Sequence, residues 1–270
     1  MHPFLGVLRL GAGERAFGSY GALVALGVFV MGTVVVRAAH RDRQDIGAVF
    51  ATLALTVGGG FFGAWLAFLS VEWARSGSPM AAFFGGGFVF FGAVPGALTG
   101  MFAGGRWLRL DVVRILDLSI PGLAAGHAMG RLGCFLGGCC YGRPFDGPWA
   151  VVYTHPFAPG AHPSVPRHPV PVYEAMGLLA LAFAFALWPA RRPGDGRRAA
   201  LYFAAYCILR AGVESLRGDA IRGLWFGGVA STSQAVAAVG LVVAGGVLLR
   251  PRRPLRPRPP EAVAAPPVDW

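Results

Sequence analysis

Charged side chains interrupt two long apolar runs of this chain, and their spacing is helical. Arg131 follows His127 by four residues, and Arg210 lies four residues after Tyr206 and four before Glu214. Residues four apart share one face of a helix, so each run predicts a polar stripe on an otherwise apolar helix. Because an arginine at the centre of a membrane helix costs about 2.5–3.5 kcal/mol, such a residue indicates a functional site.

Arginine in this setting suits a phosphate group, because the planar guanidinium donates two parallel hydrogen bonds to phosphate oxygens. In a membrane-embedded site the phosphate belongs to a phospholipid head group, so Arg131 and Arg210 predict a cavity that receives an anionic lipid. The alternative is structural, with ion pairs such as Arg210–Glu214 only holding helices together. Further polar candidates lie at or beside the starts of apolar runs: Tyr20, His168, Tyr173 and Glu174.

Three thiols follow Arg131 at the end of the same apolar run, at Cys134, Cys139 and Cys140. Their role is open between reactive nucleophiles, a metal site, a disulfide from Cys134 to one of the other two, and small packing residues. A Cys-x4-Cys spacing without a matched second pair is not typical of a zinc site, and Cys207 belongs to another predicted helix. We therefore expect no metal and no cofactor.

Membrane helices are the elements predicted to position these residues. Of the 270 residues, 55% are hydrophobic and 14% charged, whereas a soluble domain carries about 25% charged residues. Seven apolar runs approach the ~20 residues that cross a bilayer, at 20–36, 47–70, 80–102, 113–136, 172–188, 199–216 and 228–249. The sequence thus predicts an all-α polytopic membrane protein. Residues 1–249 form one integral domain, and residues 250–270 form a disordered Arg/Pro-rich tail.

The charge of this chain is a topology signal. All 24 basic residues are arginines, in short clusters between the apolar runs, so nucleic-acid binding is a poor explanation. Fifteen arginines follow the first, third, fifth and seventh runs, and seven lie on the opposite side. The positive-inside rule then places the amino terminus outside and the carboxyl terminus in the cytoplasm.

Several motifs, in order from Tyr20 to about Gly245, resemble those of the bacterial prolipoprotein diacylglyceryl transferase family. The matching residues are Ser19-Tyr20-Gly21-Ala22, the glycine-rich stretch from Gly85 to Gly100, Gly130-Arg131-Leu132-Gly133 with Phe135 and Gly142, Pro148 to Val152, Arg167-His168-Pro169 through Tyr173-Glu174, Tyr206, Arg210, Val213-Glu214, Arg217, and Gln234. The resemblance implies a seven-helix protein of the bacterial inner membrane, with a site that faces the extracytoplasmic side.

The reaction that the resemblance implies is transfer of a diacylglyceryl group from phosphatidylglycerol to the lipobox cysteine of a prolipoprotein, with release of glycerol phosphate. Arg131 and Arg210 would hold the phosphate, and Glu214 would orient Arg210. The other residues would hydrogen-bond lipid or substrate, or form the shell around the cavity: Tyr20, Tyr206, His168, Tyr173 and Glu174.

The chain departs from the family's pattern at four positions. Cys134, Gly137 and Cys139 stand where the family has Asn, Asn and Glu, and Phe91 stands where it has a His proposed as the base. Three interpretations are open: a transferase that uses His127 or His168 as base, a paralogue with a cysteine nucleophile acting on another lipid or acyl donor, and an inactive protein that binds phospholipid or a partner. We predict the transferase, with His127 as the better base because it lies one turn from Arg131.

Overall fold

The computed structural model describes residues 4–10, 13–80, 83, 89–156, 158–161, 164–188, 193–219, 224–225 and 230–251. Within these residues the chain forms seven long α-helices. They are α1 (Ser19–Arg41), α2 (Ile46–Ser76), α3 (Phe90–Trp107), α4 (Val112–Gly137), α5 (Val170–Leu187), α6 (Arg197–Glu214) and α7 (Thr232–Leu249). The predicted all-α membrane architecture is confirmed. The tail predicted at 250–270 lies, beyond residue 251, outside the described residues.

The seven helices follow the seven predicted runs in order, but not all of them qualify as membrane spans. Among the described residues, α1, α2, α4, α5 and α7 are long and apolar enough to cross a bilayer. Helix α6 begins with two arginines and carries the polar stripe, which lowers its hydropathy. Helix α3 begins at Phe90, later than predicted, and ends in Arg106 and Trp107. The number of crossings therefore stays a prediction.

Two short antiparallel hairpins were not predicted by the apolar runs. Each of them directly precedes a helix. One joins β1 (Phe4–Leu10) to β2 (Gly13–Gly18), and β2 leads directly into α1. The other joins β3 (Leu224–Trp225) to β4 (Ala230–Ser231), and β4 leads directly into α7. Each ladder fixes the chain where a helix begins.

A capping box starts α7. The Ser231 hydroxyl accepts a hydrogen bond from the backbone N–H of Gln234 at 3.2 Å, and the Gln234 side chain accepts one from the backbone N–H of Ser231 at 3.0 Å. Both bonds satisfy N–H groups that a helix start leaves without partners. Gln234 thus has a structural role at this helix start.

The described residues form two compact units. The smaller unit is Val35–Leu116, and the larger unit consists of the described parts of Met1–Val34 and Asp117–Pro254. In the smaller unit α2 and α3 pack through facing glycines, since a Cβ atom added at Gly59 would lie 2.5 Å from the carbonyl oxygen of Gly96. Small residues permit such close packing of membrane helices.

In the larger unit, Asp117 on α4 anchors the start of α6. Its Oδ2 atom accepts hydrogen bonds from the N–H groups of Gly194 and Gly196 at 2.9 Å each, and Oδ1 accepts one from Ala199 at 3.0 Å. The side chain is fully buried. The first N–H groups of a helix need partners, and the helix dipole favours a negative charge at that end. Asp117 supplies both.

The segment after α4 is tied to the segments that flank α5 and α6. The N–H of Gly142 donates to the carbonyl of His168 at 3.0 Å, and the N–H of Gly218 donates to the carbonyl of Tyr141 at 3.1 Å. The ring of Tyr153, which is fully buried, fills the centre of the loop between α4 and α5. The end of α4, the start of α5 and the end of α6 are therefore held together.

Candidate functional site

One buried carboxylate, that of Glu174 on α5, receives two guanidinium groups from different helices. Arg131 on α4 places its Nε 3.1 Å from Glu174 Oε1, and Arg210 on α6 places its Nη1 3.5 Å from Oε2. The hydroxyl of Tyr206 donates to Oε1 at 3.2 Å. The Glu174 side chain is 1% exposed, and a charge buried to this degree is stable only when paired. Glu174 thus joins three helices at one point.

Arg210 has two further partners. Its Nη2 atom lies 2.6 Å from Glu214 Oε2 and donates a hydrogen bond to the Ser233 hydroxyl at 3.0 Å. The contact with Glu214 agrees with their spacing on one helix face. Sequence analysis missed Ser233, because one serine in the first turn of an apolar helix carries no spacing signal. These contacts hold the Arg210 guanidinium in one orientation.

Arg217 extends the charged network beyond the end of α6. Its Nη1 lies 3.7 Å from Glu214 Oε2, and its Nε donates to Asp219 Oδ1 at 2.8 Å. Burial disfavours the charge on Arg217, but the hydrogen bond to Asp219 and the nearby negative charges, those of Asp219 and Glu214 among them, together outweigh burial and raise the pKa of Arg217. Arg217 was not among the predicted site residues, although it follows Glu214 by three positions. The network pairs three arginines with three carboxylates, so its formal charges balance.

His127 belongs to the same cluster through Tyr206. The two rings meet edge to face, with centroids 5.1 Å apart and an angle of 60° between their planes. Tyr206 binds the same Glu174 oxygen that Arg131 contacts. The predicted shared face of His127 and Arg131 is therefore directed toward the α5 and α6 residues of the site.

Tyr20, at the start of α1, lies against α4. A Cβ atom added at Gly133 would lie 3.2 Å from Tyr20 Cδ2, so the absence of a side chain at Gly133 makes room for the tyrosine ring. Tyr20 is about half exposed, at 49%. Its ring thus lies beside the α4 turn that carries Arg131 and Cys134.

His168 and Tyr173 form a second group at the start of α5. The Nδ1 atom of His168 lies 3.2 Å from the Tyr173 hydroxyl, and the His168 ring stacks on Phe145 with centroids 3.9 Å apart. Burial, and then the charge of Arg143, lowers the pKa of His168 below its ordinary value. Among the contacts of the described residues, this pair is separate from the Arg131–Glu174–Arg210 cluster.

The three predicted thiols come together at the end of α4, where Cys134 lies within the helix and Cys139 and Cys140 follow it. The sulfur atoms of Cys134, Cys139 and Cys140 all lie within 4.8 Å of one another, and all are free thiols. Hydrogen bonds from the thiols of Cys134 and Cys139, with the charges of Arg217 and Arg131, lower the pKa of the Cys140 thiol. In the part of the chain that the structure describes, these thiols are the one group of three or more His, Cys, Asp or Glu side chains close enough together to hold a metal ion.

One glycine stretch and one side chain that bear on the predicted site are not described. The stretch Gly85–Gly87 lies outside the described residues, and Phe91 lies in α3 with its side chain outside them.

A pocket of about 420 Å³ belongs to the smaller unit, where Arg106 and Arg109 contribute to its lining. None of the predicted site residues lines that pocket.

Comparison with known proteins gives a consistent result. A family model described as prolipoprotein diacylglyceryl transferase matches residues 8–250. A phosphatidylglycerol–prolipoprotein diacylglyceryl transferase of Clostridium tetani is 33% identical over 211 residues, covering 77% of this chain and 83% of that protein. Phosphatidylglycerol–prolipoprotein diacylglyceryl transferase 2 of Clostridium perfringens is 30% identical, and the match covers 86% of this chain and 89% of that protein. A protein of the same name from Bordetella bronchiseptica is 28% identical, and the match covers 94% of this chain and 99% of that protein.

Proposed function

Because the chain belongs to the prolipoprotein diacylglyceryl transferase family, we propose that it transfers the diacylglyceryl group of phosphatidylglycerol to the cysteine thiol of a prolipoprotein. In this reaction a sulfur–carbon bond forms while the carbon–oxygen bond to the phosphate breaks. Glycerol phosphate leaves with the electron pair of the broken bond, and the thiol loses its proton. The protein must therefore bind a phosphate group, stabilise it as it leaves, and favour a thiolate.

The observation that carries the proposal is the meeting of Arg131 and Arg210 on Glu174. Two guanidinium groups on separate helices approach one carboxylate to 3.1 and 3.5 Å. Like charges held this close repel unless an anion lies between them. Glu174 is that anion in the resting protein, and a phosphate of phosphatidylglycerol is the anion that the same two guanidinium groups bind during the reaction.

The exposure of the two arginines distinguishes their roles. The side chain of Arg131 is 16% exposed and that of Arg210 is 10% exposed, against 1% for Glu174. Arg131 is thus the more accessible of the two groups. Arg210, held by Glu214 and Ser233, is a fixed donor toward which charge on the leaving phosphate develops. Donors oriented in advance stabilise such charge without reorganising.

The carboxylates position the arginines. Glu174 fixes Arg131 relative to Arg210, and Glu214 fixes Arg210 from within its own helix. Tyr206 binds Glu174 and contacts His127, so it links the carboxylate to an imidazole. Tyr20, half exposed beside Gly133, is placed to contact the lipid or the incoming prolipoprotein segment.

His127 is the better acceptor for the thiol proton. It shares a helix face with Arg131 and borders Tyr206, so a thiol that approaches the bound head group comes within its reach. His168 is restrained by Phe145 and Tyr173 at the start of α5. We assign His168 and Tyr173 to shaping the site entrance.

A second candidate function is lipid binding without turnover. One observation favours it: both central arginines are already neutralised by Glu174, Glu214 and their neighbours. A protein whose only task is to hold helices together or retain a lipid would use the same pairs. The two functions differ in whether a thioether product forms.

The proposed location is the bacterial inner membrane, with the amino terminus outside and the carboxyl terminus in the cytoplasm. Its support is the distribution of arginine between the two sets of loops, together with the positive-inside rule. Residues 1–249 would form the integral domain and residues 250–270 a cytoplasmic tail. Fusions of a periplasm-active or cytoplasm-active reporter after residue 249 test this orientation.

The decisive experiment uses purified full-length protein, phosphatidylglycerol vesicles and a synthetic lipobox peptide. Mass spectrometry of the peptide detects the added diacylglyceryl group. We expect product with the unaltered protein and a loss of roughly 100-fold or more for Arg131→Ala or Arg210→Ala, the size reported for single electrostatic donors. Arg75→Ala is the matched control, because the Arg75 side chain is 79% exposed and pairs only with a neighbour on its own helix turn among its described contacts.

The outcomes separate the two candidate functions. Bound phosphatidylglycerol without any modified peptide favours the lipid-binding protein. Product formed at the same rate by the Arg131 and Arg210 variants contradicts the assigned site. Complementation of a strain depleted of its own transferase gives the same readout in cells.

A further inference from the structure

The thiol cluster of Cys134, Cys139 and Cys140 has the geometry of a metal site. Zinc–sulfur bonds of about 2.3 Å in a tetrahedron separate the sulfur atoms by roughly 3.8 Å. The three sulfur atoms lie within 4.8 Å of one another. The sulfur atoms are therefore at most about 1 Å farther apart than such a site requires.

The backbone of this loop is shaped to bring the thiols together. Gly138 and Cys140 both adopt left-handed conformations, with φ of 71° and 56°. A cysteine rarely adopts this conformation, and such strained residues are common at functional sites. The N–H of Cys139 donates to the carbonyl oxygen of Cys134 at 3.1 Å. The N–H of Gly160 donates to the carbonyl oxygen of Gly138 at 2.9 Å. The loop thus turns back onto the end of α4.

Packing and disulfide formation explain this cluster less well. Small packing residues are normally buried, yet only Cys134 is buried, and Cys139 and Cys140 are partly exposed. A disulfide uses two sulfur atoms and leaves the third unexplained, whereas a metal uses all three.

We propose that Cys134, Cys139 and Cys140 bind one zinc ion, and that the fourth coordination position takes the thiol of the acceptor cysteine. The second half rests on the proposed function. Three protein ligands with one open position are the pattern of catalytic rather than structural zinc sites. The open side is the partly exposed one, at Cys139 and Cys140, and Arg131 lies three residues before Cys134 on the same helix face.

The zinc would supply the attacking thiolate. A thiol that coordinates zinc gives up its proton, because the metal charge stabilises the anion. The proton passes through water to His127, the zinc-bound sulfur forms its bond to the glycerol carbon, and the carbon–oxygen bond to the phosphate breaks. Glycerol phosphate leaves against Arg131 and Arg210, and the thioether, a weaker ligand than a thiolate, dissociates. No electrons are exchanged with an outside reagent.

Metal binding is tested first, without any activity measurement. The full-length protein is purified in detergent under reducing conditions, exposed to Zn²⁺ or Co²⁺, and desalted. We expect one metal per chain, and for Co²⁺ the thiolate charge-transfer and intense visible bands of a tetrahedral site. The bound metal and the absorption bands should be lost in each of the variants Cys134→Ser, Cys139→Ser and Cys140→Ser. Cys207→Ser is the matched control, because Cys207 is a buried thiol on α6 outside the cluster.

Activity is tested second, with the peptide assay. Removal of the metal by a chelator should lower transfer by roughly 100-fold, as loss of a proton-transfer group does, while bound phosphatidylglycerol is retained, and Zn²⁺ should restore it. Absence of stoichiometric zinc, copper as the bound metal, or metal binding that survives the three cysteine substitutions overturns the zinc site. Full activity without metal overturns the zinc site but leaves the proposed transferase intact. Thiol-dependent zinc binding with no transfer under any condition overturns the transferase and the thiol-activating role.

Discussion

Arg131 and Arg210 share one counterion: their guanidinium groups contact the two oxygens of the Glu174 carboxylate, at 3.1 and 3.5 Å. The two arginines lie on α4 and α6, and the carboxylate on α5. Groups on three helices that meet at one buried point are set by tertiary packing, so a change at this point affects both the fold and the ligand.

Replacement of Glu174 should separate stability from lipid binding. Glu174→Gln leaves two buried cations without their shared anion, and breaking a buried ion pair costs about 3–5 kcal/mol. The variant should unfold at a lower temperature in neutral detergent and regain part of the loss when phosphatidylglycerol is added, because the lipid phosphate substitutes for the carboxylate. Thermal unfolding with and without the lipid measures both effects.

Glu72→Gln is the matched control, because Glu72 pairs with the exposed Arg75 at 3.5 Å, a kind of pair worth about 1 kcal/mol or less. If Glu174→Gln is as stable as Glu72→Gln and shows no additional response to phosphatidylglycerol, Glu174 is not the shared counterion.

Asp117 should matter for stability and not for the chemical step. Asp117→Ala removes the acceptor of three backbone N–H groups at the start of α6, and loss of a helix cap alone costs up to about 2 kcal/mol. We expect a lower unfolding temperature with an unchanged rate of transfer per folded molecule. Asp45→Ala, which removes a single exposed cap bond at 3.0 Å, should cost about half as much. Equal losses for the two variants would contradict the anchoring role of Asp117.

Two adjacent glycines of α2 should respond to alanine in opposite ways. Gly59→Ala places a methyl group 2.5 Å from the Gly96 carbonyl oxygen, whereas nothing lies within 4 Å at Gly58. Overpacking of this kind costs about 1–3 kcal/mol, while alanine at an open helix position gains up to about 1 kcal/mol over glycine. The unfolding temperature should fall for Gly59→Ala and stay level or rise for Gly58→Ala. The reverse order would show that α2 and α3 do not pack as described.

Stability should fall as the pH drops below the ordinary pKa of His168. Burial lowers the pKa of His168 from its ordinary value of 6.5, so the unfolded chain takes up the proton more readily than the folded chain. The stabilisation that His168 contributes is therefore fully present above pH 6.5. It is lost as the pH falls through the pKa that His168 has in the folded protein. Unfolding temperatures measured at about pH 7.5 and about pH 5.5 should differ more for the unaltered protein than for His168→Gln.

The control for this effect is His40→Gln, because His40 is an exposed histidine at the end of α1. It should keep the full pH dependence of the unaltered protein. If His168→Gln also keeps it, the pH dependence arises elsewhere.

Sequence reasoning predicted those parts of the site that lie within one helix. The spacing of Arg210 and Glu214 predicted their contact, found at 2.6 Å, and the spacing of His127 and Arg131 predicted a shared face. Glu174 was placed in the surrounding shell, yet it is the residue that both arginines contact. The period of about 3.6 residues in a helix predicts which residues lie together on one face of that helix. It does not predict which other helix packs against that face.

The fold was predictable to a similar extent. The apolar runs predicted the order of the seven helices, because bilayer thickness sets the length of a span. They did not predict the hairpin of Phe4–Leu10 with Gly13–Gly18, since two short strands carry no long hydrophobic signal. They also gave no signal for Ser233, whose contact with Arg210 depends on how α7 packs. The closeness of the three thiols depends on how the chain turns at the end of α4.

Phosphatidylglycerol binding in a double-mutant cycle tests the central claim most directly. Retained lipid is quantified by mass spectrometry for the unaltered protein, Arg131→Gln, Arg210→Gln, the double variant and the exposed control Arg75→Gln. Each single site variant should lose about 10- to 100-fold in affinity, since hydrogen bonds to charged groups contribute about 1.5–3 kcal/mol. The double variant should lose less than the sum, because both arginines bind one phosphate. Losses that add fully, or that match those of Arg75→Gln, would contradict a shared phosphate site.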